Sequence, residues 1–266
     1  MDPQSLLSLS YSHLQLMSLQ IFFTQTSQAA WTPLHLSKRM GPALSLSSIY
    51  KDRKLTGLLC VEFLNIPDDE GFVVKKNHVV LHLPIKSDEP KPSEETEKSV
   101  EAVRLSMDVT NEEDEYDEID FDNLEEPWAH VDTERFVPGT LYAKLLPYSN
   151  SSISSLNTLQ FTLTGFETLG EFIAFIANKN LHQMTFLGYG SSLGCKGCRD
   201  FVAQVFLQLV MAGKVPAAHQ HILKAAITKI YYPDGTMADK SIDCGAFLGY
   251  DRVIPADWSA AYESDA

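Results

Sequence analysis

FVVKKNHVVLHLPI, residues 72–85, is the stretch whose reading decides the fold. Taken as a strand, it places His78, Val80 and His82 on one face and Asn77, Val79, Leu81 and Leu83 on the other. LTGLLCVEFL (55–64) comes before it, and the two are joined by NIPDDEG (65–71), which supplies turn chemistry. The pair is expected to form an antiparallel hairpin with a seven-residue connection. Working outward, SVEAVRLSMDV (99–109) reads as a strand with Val103, Leu105 and Met107 on one face. GTLYAKLLPYS (139–149) and LNTLQFTLTG (156–165) read as two more.

Three helices are expected after the strands. The first opens at Thr168, with Glu171 three residues on as a capping box, and buries Leu169, Phe172, Ile173 and Ile176. The second runs from about Cys198 to Met211. Its Phe201, Val202, Val205, Phe206, Leu209 and Val210 form one apolar stripe, and Gly213 caps its end. The third starts at Pro216 and carries Ile222, Leu223, Ala226 and Ile230. A short strand, CGAFLGY (244–250), closes the pattern. Strands followed by helices, without regular alternation, indicate an α+β fold: an antiparallel sheet with about three helices on one face. The expected organisation is an irregular extension over 1–45, a single α+β domain over 46–256 and a tail over 257–266. Within the domain, 86–98 and 111–137 read as a largely disordered insert.

Charge is concentrated rather than spread. The 266-residue chain carries a net −14, and NEEDEYDEIDFDNLEE (111–126) holds ten acidic residues and no basic one. The remainder carries −14 + 10 = −4. No basic stripe exists for a phosphate backbone, so a nucleic-acid partner is not expected. The acidic run cannot bury enough apolar surface to offset its ordering entropy and reads as disordered. It could dock a basic protein partner. The N-terminal residues lack the basic start and unbroken apolar run of a signal peptide, and no run approaches the ~18 apolar residues of a membrane span. Four cysteines in a chain this long fit a reducing, cytoplasmic or nucleo-cytoplasmic setting.

The chemistry is expected in YGSSLGCKGCRDFVAQVF (189–206), a Gly/Ser-rich loop feeding a long helix. Cys198 falls at the helix start, where free N–H groups and the positive end of the helix dipole favour a thiolate. The same N–H groups, beginning at Gly197, could bind an oxyanion, and Arg199 would add positive charge. The nucleophile needs a base, and of eight histidines only His78 and His82 sit on a core strand. Four residues apart, they are about 13 Å from each other at ~3.3 Å per residue and cannot both serve one cysteine. His78, near the strand end, is the chosen base. Cys195 and Cys198 also form C-x-x-C, but its redox use needs a βαβ setting that the strand-rich half does not offer. A zinc site would need Cys60 and Cys244 as well, both isolated in sequence. Neither a metal nor a cofactor is expected.

NHVVLHL and GCRDFV are similar to two pieces of the permuted papain-like group that includes lecithin-retinol acyltransferase. There a His-bearing strand comes first and an Asn-Cys-x-x-Phe helix start follows. Here Gly197 stands in place of the Asn, and Val79 in place of the Trp that usually follows the histidine. That resemblance implies a thiol hydrolase or acyltransferase acting on an amide, ester or thioester of a small-molecule or acyl substrate. Across about residues 56–250, the series NHVVLHL, AVRLSMD, FTLTGFETLGEFIAFI and GCRDFVAQVFLQLVMAGKV also resembles an uncharacterised fungal family, the domain of unknown function 7770. It implies a shared fold and a fungal origin, and no activity. A non-catalytic ligand- or protein-binding module is the alternative reading.

Overall fold

The computed structural model describes residues 51–65, 77–86, 100–109, 117–118, 136–188 and 195–262. The expected extension over 1–45 lies outside the described residues. So does the insert, apart from Lys86, Asp117, Glu118 and residues 136–137. The described elements, in chain order, begin with strands β1 (Leu58–Asn65), β2 (Asn77–Pro84), β3 (Ala102–Val109), β4 (Asp117–Glu118), β5 (Phe136–Leu146) and β6 (Ser155–Thr162). Helix α1 (Leu169–Asn178), strands β7 (Met184–Gly188) and β8 (Cys195–Lys196), and helix α2 (Cys198–Met211) follow. Helix α3 (Gln220–Ile227), the hairpin β9 (Lys229–Tyr231) and β10 (Met237–Asp239), and β11 (Ala246–Phe247) complete the set. The main sheet runs β11-β7-β5-β3-β2-β1-β6, with β4 beside β5 and β8 beside β7. All its pairings are antiparallel. The fold is α+β, an antiparallel sheet with a few helices.

Alternation sorts the central strands into two faces. The register Val61↔Leu81, Leu81↔Leu105 and Leu105↔Ala143 puts apolar residues opposite one another across four strands. Val61, Leu81, Leu105 and Ala143 are fully buried. This is the face that meets α2: Phe161 of β6 stands edge-on to Phe206 at 4.7 Å. Each Val, Leu or Phe side chain here contributes roughly 1.5–3 kcal/mol by leaving water. The other face carries Glu62, His82 and Arg104, and the segment after β5 seals it. His82 Nε2 is 3.1 Å from the Ser149 carbonyl, Ser152 N–H donates to Glu62 Oε1 at 2.9 Å, and Arg104 donates to the Tyr148 hydroxyl at 3.1 Å. The Glu62 carboxyl has its pKa held down despite burial, because His82, Ser152 N–H and Arg104 favour its charged form.

The ends of the elements follow local chemistry. Thr168 caps α1, and Glu171 reaches back to complete the capping box. Gly213 follows α2 with φ +67°, and the N–H of Lys214 returns to the Leu209 carbonyl at 2.8 Å. Three C-terminal expectations are corrected. Helix α3 is shorter than the sequence suggests: a 3-10 turn occupies Ala217–His219, the helix stops at Ile227, and Ile230 lies on β9. The last strand shrinks to Ala246–Phe247. The supposed tail folds over Ala256–Ala261, where Trp258 is wholly buried, because an indole that size stabilises whatever it covers. Among the described residues, no helix is long and apolar enough to cross a membrane.

Helix α2 is covered on both sides. Every residue from Arg199 to Leu209 is buried, including Asp200, Gln204 and Gln208. These three follow at i, i+4 and i+8 and face the C-terminal segment. Asp200 accepts from Gly245 N–H at 2.9 Å and from Arg252 at 2.8 and 3.1 Å. Gln204 binds the Val253 backbone and the hydroxyls of Tyr250 and Tyr262. A polar stripe that would suit a solvated face is therefore a clamp, with α2 held between the sheet and residues 244–262.

Candidate functional site

The site forms where the start of α2 meets the start of β2. Gly197 precedes the helix at φ +146°, a region that favours glycine. A Cβ here would stand 2.7 Å from Met184 Cε and 3.0 Å from Phe186 Cδ1. A side chain such as asparagine has no room, so this glycine lets the helix start press against β7. Gly197, the residue before the helix, has no side chain with which to cap it, and the first-turn N–H groups of Cys198, Arg199 and Asp200 have no acceptor within the helix.

Both β2 and β3 continue to His78 and Asp108, yet their pairing stops at Leu81↔Leu105. Where the pairing ends, the Val79 N–H lies near enough to the Cys198 sulfur to favour its ionised form. Continuing the register sets His78 opposite Asp108, and the structure brings them together: His78 Nε2 is 3.2 Å from Asp108 Oδ1. The same nitrogen is 2.6 Å from the Ser106 hydroxyl, which in turn donates to Asp108 Oδ2. The Cys198 sulfur lies beside the His78 ring, near enough that each shifts the titration of the other. With Nε2 engaged by Ser106 and Asp108, Nδ1 is the atom left for the sulfur. The His78 and Asp108 side chains are 22% and 21% exposed, so a solute can reach them.

The electrostatics polarise the pair. Burial alone would lower the His78 pKa, but the Asp108 carboxylate and the Cys198 sulfur outweigh it and raise the imidazole to about 9. Burial alone would raise the Cys198 thiol; its contacts with His78 and Val79 N–H and the Arg199 charge bring it below its ordinary value instead. Thiolate and imidazolium are mutually stabilised. By contrast, burial and Glu62 push Cys60 up to about 11, leaving it an inert core thiol.

Arg199 is not where a ligand-binding cation would stand. It is buried, Nη1 donates to the Ile227 carbonyl at 2.6 Å, and the guanidinium lies 5.8 Å over the Phe63 ring. Its bearing on Cys198 is through charge rather than through an exposed anion-binding fork. Helical phase could have shown this, since Arg199 falls on the same stripe as Val202, Ala203 and Phe206. His82, the histidine not chosen, is wholly buried with Nδ1 3.3 Å from Glu62, inside the sealed face. Sequence reading missed Asp108 and Ser106, and the signal was the alternation of β3. If Val103, Leu105 and Met107 face the core, then Arg104, Ser106 and Asp108 share the face of His78.

Asn77 anchors the His78 end of β2 from the other side. Its amide donates to the Tyr231 carbonyl at 2.9 Å, and its oxygen accepts from the Tyr231 N–H at 2.8 Å. This two-way bond ties the residue preceding His78 to β9. The side chain of Cys195 lies outside the described residues. Among the described residues, no three His, Cys, Asp or Glu side chains converge as a metal site. No family model, curated protein or solved structure matches the chain.

Proposed function

We propose that the chain is a thiol hydrolase or acyltransferase of permuted papain-like character, acting on an amide, ester or thioester. The observation that carries this reading is Cys198 at the start of α2, beside a His78 whose Nε2 is paired with Asp108. The chain order is histidine strand first, cysteine helix second, as in the permuted group that NHVVLHL and GCRDFV resemble. The longer resemblance to the uncharacterised fungal domain family is compatible with this and supplies no chemistry of its own.

The proposed steps use these groups in turn. The Cys198 thiolate adds to the carbonyl carbon, and the carbonyl electrons move to oxygen, facing the free N–H groups of the first turn of α2. As the tetrahedral species collapses, the C–N, C–O or C–S bond breaks and imidazolium His78 gives its proton to the departing amine, alcohol or thiol. A thioester on Cys198 and a neutral imidazole remain. His78 then takes a proton from water, for hydrolysis, or from an acceptor nucleophile, for acyl transfer, and that group displaces Cys198. Asp108 stabilises the imidazolium throughout.

The test is acylation of the protein by p-nitrophenyl ester, thioester and anilide probes. The expected result is a burst of leaving group stoichiometric with protein, a matching mass increase on the peptide containing Cys198, and neither in Cys198→Ala. If no probe acylates Cys198, the catalytic reading fails, and the fold stands as a non-catalytic binding module.

A further inference from the structure

Ser106 lies on β3, almost wholly buried, and touches both His78 and Asp108. The thiol chemistry does not itself need a hydroxyl there, so its placement calls for a reason. A serine hydroxyl has one hydrogen. That hydrogen goes to Asp108 Oδ2, so the oxygen can only accept from its other neighbour, His78 Nε2 at 2.6 Å. Nε2 must then carry a proton, which Asp108 Oδ1 also faces at 3.2 Å. Nδ1 is left as the ring atom that exchanges a proton with Cys198.

We propose that Ser106 is the positioning residue for His78, fixing the ring's rotation and confining its exchangeable proton to Nδ1. This rests on the thiol reading above. Asp108 alone offers one oxygen at the longer distance, and a ring turned over would present Nδ1 to the carboxylate and lose the cysteine. Ser106 closes the triangle, because both carboxylate oxygens and Nε2 are engaged at once. The charged groups around the ring are Asp108 and Arg104 of β3 and Cys198 of α2; Asp108 also favours a proton on Nε2, but at 3.2 Å, and the 2.6 Å contact of Ser106 is the closer of the two.

The test uses the full chain with Ser106→Ala and Ser106→Cys. The second keeps nearly the same volume while bonding weakly, so it covers the event that the first misfolds. Imidazole nitrogen chemical shifts of His78 are read in the Cys198→Ala background, at a pH where the ring is neutral. With Ser106 present, a single Nε2–H tautomer is expected; with either substitution, a mixture. With Cys198 present, ester turnover should fall on the order of 10²-fold in kcat with KM nearly unchanged. A mixture already present with Ser106, or one unchanged tautomer without it, overturns the proposal. The tautomer measurement needs no catalysis, so it separates failure of the positioning role from failure of the thiol reading, which the acylation probes report.

Discussion

Cys198 and Phe206 sit on one helix, eight residues apart, and substituting each should separate site from scaffold. Phe206 is wholly buried and packs edge-on against Phe161 at 4.7 Å. It stands between α2 and the apolar face of the sheet, where neighbours cannot collapse far. Phe206→Ala is therefore expected to cost about 3–5 kcal/mol through lost burial and the cavity left behind. For a domain of this size each kcal/mol moves Tm by about 2–4 °C, so the melt should fall by roughly 6–20 °C. Cys198 is only half-buried, at the helix mouth. Cys198→Ser swaps sulfur for a smaller atom that can still bond with His78, and the melt should move by less than about 1 kcal/mol, under roughly 4 °C. Acylation should vanish in Cys198→Ser and survive in whatever fraction of Phe206→Ala remains folded. Calorimetry beside the acylation assay reads both quantities. If Cys198→Ser unfolds the protein as badly as Phe206→Ala, the cysteine is a packing residue and its role as a nucleophile must be given up.

Two further perturbations probe the supports. Arg252→Ala removes the cation paired with Asp200, a carboxylate with no exposure, and should cost ~3–5 kcal/mol; a melt within about 1 kcal/mol of the wild type would show that the C-terminal clamp is not needed. Asp108→Asn keeps the shape but removes the charge that raises His78. Burial and Arg104 then act unopposed on that side, so the ring's pKa should drop from about 9 toward or below the ordinary histidine value. In the proposed mechanism the imidazolium donates a proton to the leaving group, so the alkaline limb of the pH–rate profile should move down with it, and turnover at pH 8 should fall on the order of 10²-fold or more. An alkaline limb that stays near pH 9 would remove Asp108 from the mechanism.

The strands and helices that carry the core were legible because their periodicities are strong. The alternation in β2, the capping box at Thr168 and the apolar stripe of α2 each express one local rule, and the fold obeys it. Pieces held by distant contacts were not legible. Strand β7, at Met184–Gly188, is too short to alternate and exists because β5 and β11 flank it. The hairpin β9–β10 ends a segment that reads as helical through Ile230, and Asn77, more than 150 residues earlier, holds Tyr231 in place. The site divides in the same way. Cys198 and His78 could be named from a helix start and a strand end, and the geometry brings them together. Asp108 and Ser106 could be found only by pairing the polar face of β3 with that of β2, which needs a register that no short window contains. Arg199 misled because a cation near a helix start suggests an anion site, while its helical phase turns it into the core.

The central claim is that His78 holds Cys198 as a thiolate, and the pH dependence of Cys198 alkylation tests it most directly. The sign follows from the charges: an adjacent imidazolium favours the ionised sulfur, so the thiol loses its proton at lower pH than an ordinary cysteine. The rate of iodoacetamide reaction at Cys198, followed by mass spectrometry of its peptide from pH 4 to 10, should reach its half-maximum well below the ~8.5 of a free thiol. In His78→Ala the burial penalty on the charged sulfur stands without its main counterweight, and the midpoint should move to ~8.5 or higher. A wild-type midpoint at or above that of an ordinary thiol, or one that His78→Ala leaves in place, would contradict the thiolate–imidazolium pair.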